Sequence, residues 1–403
     1  MKIQRIETLR PAARPSLIWV RVHTEDGLVG LGESWFGTDA IDADVHGRLA
    51  PLLLGEDATR IEALHRKMQP YVGFGGTSAE TRALSAIDVA LWDLAGQRAG
   101  LPLHDLLGGA TRARVPLYNT CAGPDYVSKS AEVRPDNFGI KGGSGDDGAS
   151  PRYEDLDAFL ERPAELAAEL LEMGISAMKI WPFDFAEGAR HGMSISPADL
   201  NRALWPFEEI RRVHGDRMRL KAELHGLWSL PAARTICQAL APIDPDWIED
   251  PLWMDRFDQL GELADTCVPL AGGETLGGLG QIRDLLHRGR IHTPIIDVTW
   301  GGSVSFARKA AALAEAEGRP IAFHDCSGPV TLAVSTHLAM ALANVAEQEF
   351  TRAFYYGWYA DCVEGLPPVE DGMIRVSGEP GLGIRLNPEM LKVDALHGRL
   401  SES

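Results

Sequence analysis

Acidic residues recur at the ends of short apolar segments in the second half of the chain. Glu223, Glu249 and Glu274 end the segments MRLKAE, DWIE and VPLAGGE, and they lie 26 and 25 residues apart. That interval fits one strand, one helix and their loops, so the carboxylates would reach neighbouring positions at the same end of a parallel barrel. Converging carboxylates repel one another unless a cation lies between them, and oxygen ligands suit Mg²⁺. The spacing therefore predicts a Mg²⁺ site at these three residues.

The same series continues with residues that could move protons. Asp297, His324 and Glu349 end the next three segments, at intervals of 23, 27 and 25 residues. An aspartate on one strand can orient a histidine on the next strand and raise its basicity, so Asp297 and His324 are predicted to form a general base. His225 lies two residues after Glu223 and would point the same way if the strand continues. It is therefore a candidate for a second proton carrier.

Lys179 is a candidate for the cation that an anionic substrate would need. The chain has a net charge of −18, so a negatively charged substrate requires a local positive group. Lys179 lies near the end of the segment ISAMKIW (175–181), where it could face a substrate carboxylate or stabilise an enolate. Each of these polar residues also has an ordinary structural interpretation, as an exposed or hydrogen-bonded group at a strand end. The regular spacing favours the functional one.

The elements that would position these residues are read from the apolar pattern. From about residue 115, short apolar segments alternate with amphipathic helical stretches such as 163–174 and 306–318, which predicts an α/β fold with a closed (β/α)₈ barrel. Before it, two strands flank the turn Glu25-Asp26-Gly27, and helices are predicted over 39–68 and 78–99. Residues 123–152 contain few large apolar residues and read as a long loop. The eight segments are 115–120, 175–181, 218–223, 246–249, 268–274, 294–298, 320–324 and 343–349.

Composition restricts the class of protein. The 403 residues are 45% hydrophobic, which is ample for a large core. No cluster of Lys and Arg suggests nucleic-acid binding, and no apolar run reaches the ~18 residues of a membrane span. The first ten residues lack the apolar core of a secretory signal, and none of the five cysteines forms a CxxC pair. A cytoplasmic protein that acts on a small molecule is expected.

The sequence resembles a known family, the mandelate racemase subgroup of the enolase superfamily, over almost the whole chain. The resemblance implies an α+β capping domain over 1–114, a barrel over 115–365, and a C-terminal segment over 366–403 that returns to the capping domain. It also implies a homo-oligomer. The motifs that carry it are GLVGLGES (27–34), ETRALSAIDVALWDLAGQRAGLPLHDLLGG (80–109), WIEDP (247–251), GGET (272–275), the Asp297/His324 pair and Glu349.

The resemblance also implies roles for individual residues. Glu223, Glu249 and Glu274 would bind Mg²⁺, His324 backed by Asp297 would be the base, and Glu349 would hydrogen-bond the enolate or the substrate carboxylate. Loops of the capping domain around Trp19, around Trp35 to Phe36 and around Tyr71 to Thr77 would close over the substrate. The aromatic residues predicted to line the pocket, each of which could equally belong to the core, are Trp35, Tyr71, Trp181 and Trp300.

Two departures from the subgroup pattern narrow the reaction. The subgroup commonly has Lys-x-Lys at the end of the second barrel strand, but this chain has Lys179-Ile180-Trp181, and tryptophan cannot abstract a proton. This disfavours mandelate-type racemisation with two bases. His225, in Glu223-Leu224-His225, resembles the galactonate-type dehydratases. The predicted function is Mg²⁺-dependent dehydration of an aldonate or aldarate to a 2-keto-3-deoxy acid. A cycloisomerase, an epimerase or racemase using the same enolate, and a silent sugar-acid-binding barrel remain alternatives.

Overall fold

The structure of the protein is a computed structural model, and it describes five stretches of the chain. Sixteen strands and fifteen α-helices lie within these stretches. The stretches are 1–70, 78–126, 153–266, 268–392 and 396–402. The strands are β1 (Ile3–Pro11), β2 (Leu17–Thr24), β3 (Val29–Trp35), β4 (Val115–Thr120), β5 (Ala177–Ile180), β6 (Arg219–Glu223), β7 (Trp247–Glu249), β8 (Leu270–Gly272), β9 (Thr293–Ile296), β10 (Ile321–Phe323), β11 (Val345–Phe350), β12 (Val363–Glu364), β13 (Val369–Glu370), β14 (Met373–Ile374), β15 (Arg385–Leu386) and β16 (Leu396–Glu402).

The helices alternate with the strands from β4 to β11, as the sequence pattern predicts. They are α1 (Thr38–Asp44), α2 (Ala50–Leu53), α3 (Ile61–Met68), α4 (Ala79–Ala99), α5 (Leu103–Leu106), α6 (Asp155–Glu161), α7 (Pro163–Glu172), α8 (Pro197–His214), α9 (Leu230–Leu240), α10 (Phe257–Leu263), α11 (Leu279–His287), α12 (Ser303–Ala316), α13 (Pro329–Ala341), α14 (Arg352–Phe354) and α15 (Ala360–Cys362). None of the helices in the described stretches is long and apolar enough to cross a membrane.

Strands β4 to β11 form a closed parallel barrel. They are hydrogen-bonded in sequence order, and β11 pairs back onto β4 through Gln348–Leu117 and Glu349–Tyr118. All eight strands run the same way, so their carboxyl ends share one mouth, where functional residues of this fold lie. The predicted (β/α)₈ barrel is therefore confirmed.

The barrel interior below the mouth is filled by side chains rather than open. An apolar layer crosses it, and the ammonium of Lys221 lies 4.2 Å from the centre of the Trp247 ring. Lys221 is fully buried and pairs with Asp246 and Glu347, each at 2.7 Å. This floor closes the barrel beneath the site. The apolar layer consists of Tyr118, Ala177, Trp247, Ala271, Ile295 and Ala322.

Both ends of the chain build the capping domain, as predicted. Strands β1, β2 and β3 form an antiparallel sheet, and β16 joins its edge by pairing with β1 from Arg5–Glu402 to Pro11–Leu396. The C-terminal segment also contacts the barrel, because β14 pairs with β4 and β13 with β14. The α+β capping domain formed by both termini is therefore confirmed.

Helix α4 confirms one of the two predicted helices of the capping domain. It spans Ala79–Ala99 and ends at Gly100, whose φ of 67° suits glycine. The helical pattern predicted over 39–68 is confirmed except at residues 54–60, which separate α2 from α3. Residues 54–60 are not helical, because this segment hydrogen-bonds to the start of β1: the amide of Ile3 donates to the carbonyl of Glu56 at 2.9 Å, and the amide of Gly55 donates to the carbonyl of Ile3 at 2.8 Å. The predicted loop over 123–152 lies outside the described residues from 127 onward.

Candidate active site

The three predicted carboxylates meet at the mouth of the barrel. Glu223 and Glu249 are the last residues of β6 and β7 and are paired in register, and both are buried. Glu274 follows β8 and is partly buried. One oxygen from each of the three lies within 4.8 Å of the other two. After small side-chain rotations, one cation could contact all three.

Two glycines and an aspartate bring Glu274 to this position. Gly272 and Gly273 have φ values of 144° and 112°, which favour glycine, and a Cβ on Gly272 would lie 2.1 Å from Oδ1 of Asp250. That same Oδ1 accepts a hydrogen bond from the amide of Gly273 at 3.0 Å. The sequence AGGET therefore turns the chain sharply after β8 and aims Glu274 back into the mouth.

The donor set suits a hard divalent cation. Burial raises the pKa of Glu249 to about 8; the Lys179 ammonium opposes the rise, while Glu223 and Glu349 add to it. Burial also raises the pKa of Glu274. Two of these three oxygen ligands, Glu249 and Glu274, lie in surroundings that disfavour their negative charges, which a doubly charged ion would offset. These residues therefore fit a divalent metal.

Lys179 lies at the centre of the carboxylates. Its side chain is 3% exposed, and its ammonium is 2.7 Å from Glu249, 3.0 Å from Glu349 and 3.3 Å from Glu223. Burial lowers the pKa of Lys179, but the three carboxylates outweigh that effect and raise it well above its ordinary value. These carboxylates therefore favour the cationic form of Lys179 within the site.

Asp297 and His324 form the predicted pair. Nδ1 of His324 lies 2.6 Å from Oδ2 of Asp297, and the other oxygen of Asp297 accepts from the amides of Thr299 and Trp300 at 2.7 and 2.8 Å. Since Nδ1 donates to this carboxylate, Nε2 is the nitrogen left for proton transfer. Nε2 lies 3.4 Å from Glu274, which places it beside the metal-ligand cluster.

Burial and charge act in opposite directions on His324. Burial lowers its pKa, but Glu274, Glu349 and Asp297 together raise the pKa well above its ordinary value. Glu349 is fully buried on β11; Oε2 accepts from the amide of Asp325 at 3.0 Å, and Oε1 accepts from the hydroxyl of Thr120. Glu349 thus joins the lysine side of the site to the histidine side.

His225 lies across the barrel from His324. It follows β6, the third strand, whereas His324 follows β10, the seventh strand of a closed eight-strand barrel. Nδ1 of His225 is 2.7 Å from Oδ2 of Asp184, a buried residue that the sequence analysis missed. Burial lowers the pKa of His225, but the carboxylates of Asp184 and Glu223 outweigh it and raise the pKa to about 10.

The predicted pocket aromatics occupy different places. The Trp300 ring lies 4.8 Å from that of His324, and Trp181 lies edge-on to His225 at 5.9 Å. Trp35 is buried at the end of β3 and stacks on Trp358 at 6.1 Å. Tyr71 lies outside the described residues. Substrate contacts by all four stay predictions.

Two further positions were not anticipated correctly. Trp19 is fully buried within β2 and donates to Glu33 at 3.0 Å, so it does not belong to a loop. Arg82, in the first turn of α4, lies with its guanidinium carbon 4.9 Å from the centre of the Trp300 ring and donates to the carbonyl of Trp35 at 2.6 Å. Nothing in the local sequence marks Arg82, since its position depends on the contact between capping domain and barrel.

Comparisons with known proteins agree with this geometry. Residues 162–390 match the family described as Enolase C-terminal domain-like. Residues 8–108 match the mandelate racemase / muconate lactonizing enzyme N-terminal domain. The chain is 27% identical over 400 residues to a D-galactonate dehydratase of Xanthomonas campestris pv. campestris, covering 97% of this chain and 94% of that protein.

Solved structures give the same result. An enolase from the environmental genome shotgun sequencing of the Sargasso Sea is 40% identical, with a TM-score of 0.87 and coverage of 100% of this chain and 99% of that one. An enolase of the mandelate racemase subgroup from Agrobacterium tumefaciens is 39% identical, with a TM-score of 0.86 and the same coverage. Enzymes of this family act on small acids with a divalent metal. The chain therefore belongs to the enolase superfamily, as a member like those of its mandelate racemase subgroup.

Proposed function

We propose that this enzyme is a Mg²⁺-dependent dehydratase of sugar acids. The observation that carries the proposal is the placement of two carboxylate-bound histidines, His225 and His324, on opposite sides of the carboxylate cluster. Elimination of water needs one group to remove a proton and another to donate one, which this arrangement supplies. The D-galactonate dehydratase relative supports the same reaction class.

The α-proton would be removed on the His324 side. Nε2 of His324 accepts the proton while Asp297 holds the ring through Nδ1. The C–H electrons move toward the substrate carboxylate, and Lys179 offsets the negative charge that develops there. When bound to Glu223, Glu249 and Glu274, Mg²⁺ would supply further charge stabilisation for the substrate carboxylate.

The β-hydroxyl would leave on the His225 side. His225 donates its Nε2 proton to the hydroxyl oxygen as the C–O bond breaks, and water departs. The electrons released at the α-carbon form the C=C bond of an enol, which tautomerises to a 2-keto-3-deoxy acid. Substrate and product differ only by water, so the reaction needs no oxidant or reductant.

Trp181 distinguishes this reaction from two-base isomerisation. The Trp181 indole occupies the position at which the subgroup commonly has a second lysine, and it is 1% exposed. No general base is therefore available at residue 181. His225 lies on the far side of the barrel from His324, in the position expected for the acid that protonates the leaving hydroxyl.

The test is a Mg²⁺-dependent screen of aldonates and aldarates, in which 2-keto products are detected as semicarbazones. Exchange at the α-carbon is followed in parallel by NMR in D₂O. We expect a keto product from a restricted set of diastereomers, and its loss in His324→Asn but not in His287→Asn, an exposed histidine on α11. α-Exchange without any keto product would replace dehydration by epimerisation or cycloisomerisation. Mg²⁺ binding with neither signal would favour a silent sugar-acid-binding barrel.

A further inference from the structure

We infer that Asp184 is a positioning residue for His225, so that the site contains a second carboxylate–histidine dyad dedicated to the departure of the leaving group. This inference rests on the proposed dehydration. It assigns a function to a buried residue outside the regular series of strand-end carboxylates.

The chain holds Asp184 firmly in place. It lies in a 3₁₀ turn, Pro182–Phe185, which begins two residues after the end of β5. Its amide donates to the carbonyl of Trp181 at 3.2 Å, and the neighbouring Phe183 stacks on Phe207 of α8 at 6.1 Å. The carboxylate therefore approaches His225 from a rigid part of the barrel rim.

His225 reaches Asp184 because the backbone turns sharply after β6. The amides of Leu224 and His225 both donate to Oε1 of Glu223, at 3.0 and 2.7 Å. His225 has a φ of 46°, and Gly226 follows with a φ of 67°. A left-handed conformation costs a residue other than glycine on the order of 1–3 kcal/mol and persists only where the surroundings enforce it. Here the turn directs the imidazole toward Asp184 rather than along the strand.

The hydrogen bonds of Asp184 differ from those of a purely structural aspartate. Asp155 is equally buried, and both of its oxygens are bound, by the guanidinium of Arg352 and the amide of Asn119. Asp184 bonds through Oδ2 to His225 at 2.7 Å, while its Oδ1 is buried with no hydrogen-bond partner among the described residues. A buried carboxylate committed to one imidazole is costly for the fold, which favours a role in the reaction.

The hydrogen bond to Asp184 determines which nitrogen of His225 can donate a proton to the substrate. Because Nδ1–H is donated to Asp184, Nε2 is the nitrogen available to the substrate. The Trp181 ring, edge-on at 5.9 Å and 76°, limits rotation of the imidazole away from this position. Asp184 keeps its negative charge opposite His225 as Nε2 gives its proton to the β-hydroxyl and water leaves. It takes no part in removal of the α-proton, which occurs across the barrel at His324.

Because Asp184 acts only in the departure of the leaving group, Asp184→Asn should affect elimination and α-proton exchange differently. The amide matches the carboxylate in shape but lacks its charge and can present an N–H to Nδ1, which disturbs the histidine tautomer. On the sugar acid identified by the screen, we expect keto-acid formation to fall by at least about 100-fold, the size of a lost acid–base contribution. α-Proton exchange should change only a few-fold, so the ratio of exchange to elimination rises. Asp184→Glu, which retains the carboxylate, should recover part of the elimination rate.

A substrate with a better leaving group sharpens the test. The 3-deoxy-3-fluoro analogue of the same acid loses fluoride, which needs far less protonation than hydroxide. We expect Asp184→Asn to slow fluoride elimination much less than water elimination. Asp199→Asn serves as the structural control, because the Asp199 carboxylate accepts from the hydroxyl of Ser196, the N-cap of α8, and Asp199 lies on the same β5–β6 connection. It should lower the melting temperature without altering the ratio of the two eliminations.

Two outcomes would overturn the inference. Asp184→Asn could retain the wild-type ratio of exchange to elimination, or it could slow water and fluoride elimination equally. If the wild-type enzyme dehydrates the sugar acid, either result would disprove only the role of Asp184 and would leave the proposed function intact. If the wild-type enzyme forms no keto acid from any aldonate or aldarate, the proposed function fails, and the role of Asp184 fails with it.

Discussion

Buried carboxylates occupy two regions of this molecule, and their neighbours differ in kind. Where the capping domain meets the barrel, Glu33 accepts hydrogen bonds from the Trp19 indole at 3.0 Å and from the amide and hydroxyl of Thr331 at 2.9 and 2.8 Å. Asp88 accepts from the amide and hydroxyl of Ser305 at 3.2 and 2.7 Å. Thr331 and Ser305 lie in the first turns of α13 and α12, where the helix dipole favours negative charge.

At the barrel mouth the carboxylates face one another instead. Glu223 and Glu249 share the ammonium of Lys179, and Glu274 lies against His324. The comparison separates two uses of the same functional group. At the domain contact each carboxylate is paired with N–H and O–H donors, whereas at the mouth the carboxylates lie close enough to repel one another, which suits a bound cation. This agrees with the general cost of placing charges in a buried site without full compensation.

The largest expected effect comes from breaking the cluster at the mouth. Glu274→Gln removes one candidate metal ligand and one repelling charge while keeping the side-chain size. We expect turnover to fall by at least about 10²–10³-fold, because stabilisation of developing charge is lost. The unfolding free energy measured with EDTA should not fall. Mg²⁺ should raise the melting temperature of the wild type but not of the variant.

Glu262→Gln, on the exposed face of α10, is the matched control for this change. It should keep both the turnover and the Mg²⁺-dependent rise in melting temperature. If Glu274→Gln instead unfolded more readily in EDTA and still responded to Mg²⁺, the carboxylates at the mouth would be structural, and the comparison would be wrong.

The same substitution at the domain contact should have the opposite profile. In Glu33→Gln the new amide N–H₂ must face either the Trp19 indole or the donors of Thr331, so a donor meets a donor. We expect the unfolding free energy to fall by about 1–3 kcal/mol, the usual cost of an unsatisfied buried group. The Mg²⁺-dependent rise in melting temperature should persist. Urea titration with and without Mg²⁺ measures both, and a variant as stable as the wild type would contradict the structural role.

The pH dependence of stability offers a finer test at Glu33. Burial raises its pKa to about 7, although hydrogen bonds from Thr331 and Trp19 oppose the rise; the ordinary value is 4.5. Between these values the folded state binds more protons than the unfolded state, so this group makes the protein less stable as pH rises from 4.5 to about 7.

Subtracting the unfolding free energy of Glu33→Gln from that of the wild type isolates this contribution. The difference should decline through the window and level off above about pH 7, where Glu33 is ionised in both states. Urea titrations at closely spaced pH values measure it. A difference that stays constant across the window would mean that Glu33 does not titrate with a raised pKa.

Much of the site could be predicted from the sequence, because in a barrel the regular spacing of residues along the chain places them at neighbouring positions on one rim. Once eight strands are assigned, residues at their carboxyl ends must converge, so Glu223, Glu249, Glu274 and the Asp297/His324 pair could be named without coordinates. Their hydrogen bonds and the burial of Lys179 follow from that convergence, and the structure supplies the distances.

Residues that do not lie at the regularly spaced strand ends could not be predicted in the same way. Asp184 reaches the site through a 3₁₀ turn, and the φ of 46° at His225 is set by hydrogen bonds to Glu223. Arg82 reaches the site from the capping domain, and the non-helical residues 54–60 within the helical pattern predicted over 39–68 result from hydrogen bonds to β1. Each of these depends on contacts between segments distant in sequence or on local backbone geometry, neither of which hydrophobic periodicity records.

The smallest effect is expected at an exposed ion pair that spans the same two domains. Lys309 on α12 lies 2.7 Å from Glu62 on α3, with side chains 43% and 58% exposed. Water screens this pair and both side chains lose freedom on pairing, so Lys309→Met should change the unfolding free energy by no more than about 1 kcal/mol. The change should shrink further in 1 M NaCl, as urea titration would show. A loss as large as that of Glu33→Gln would mean that charge contact alone joins the domains; a small one would leave buried carboxylates with their donors as the stabilising feature.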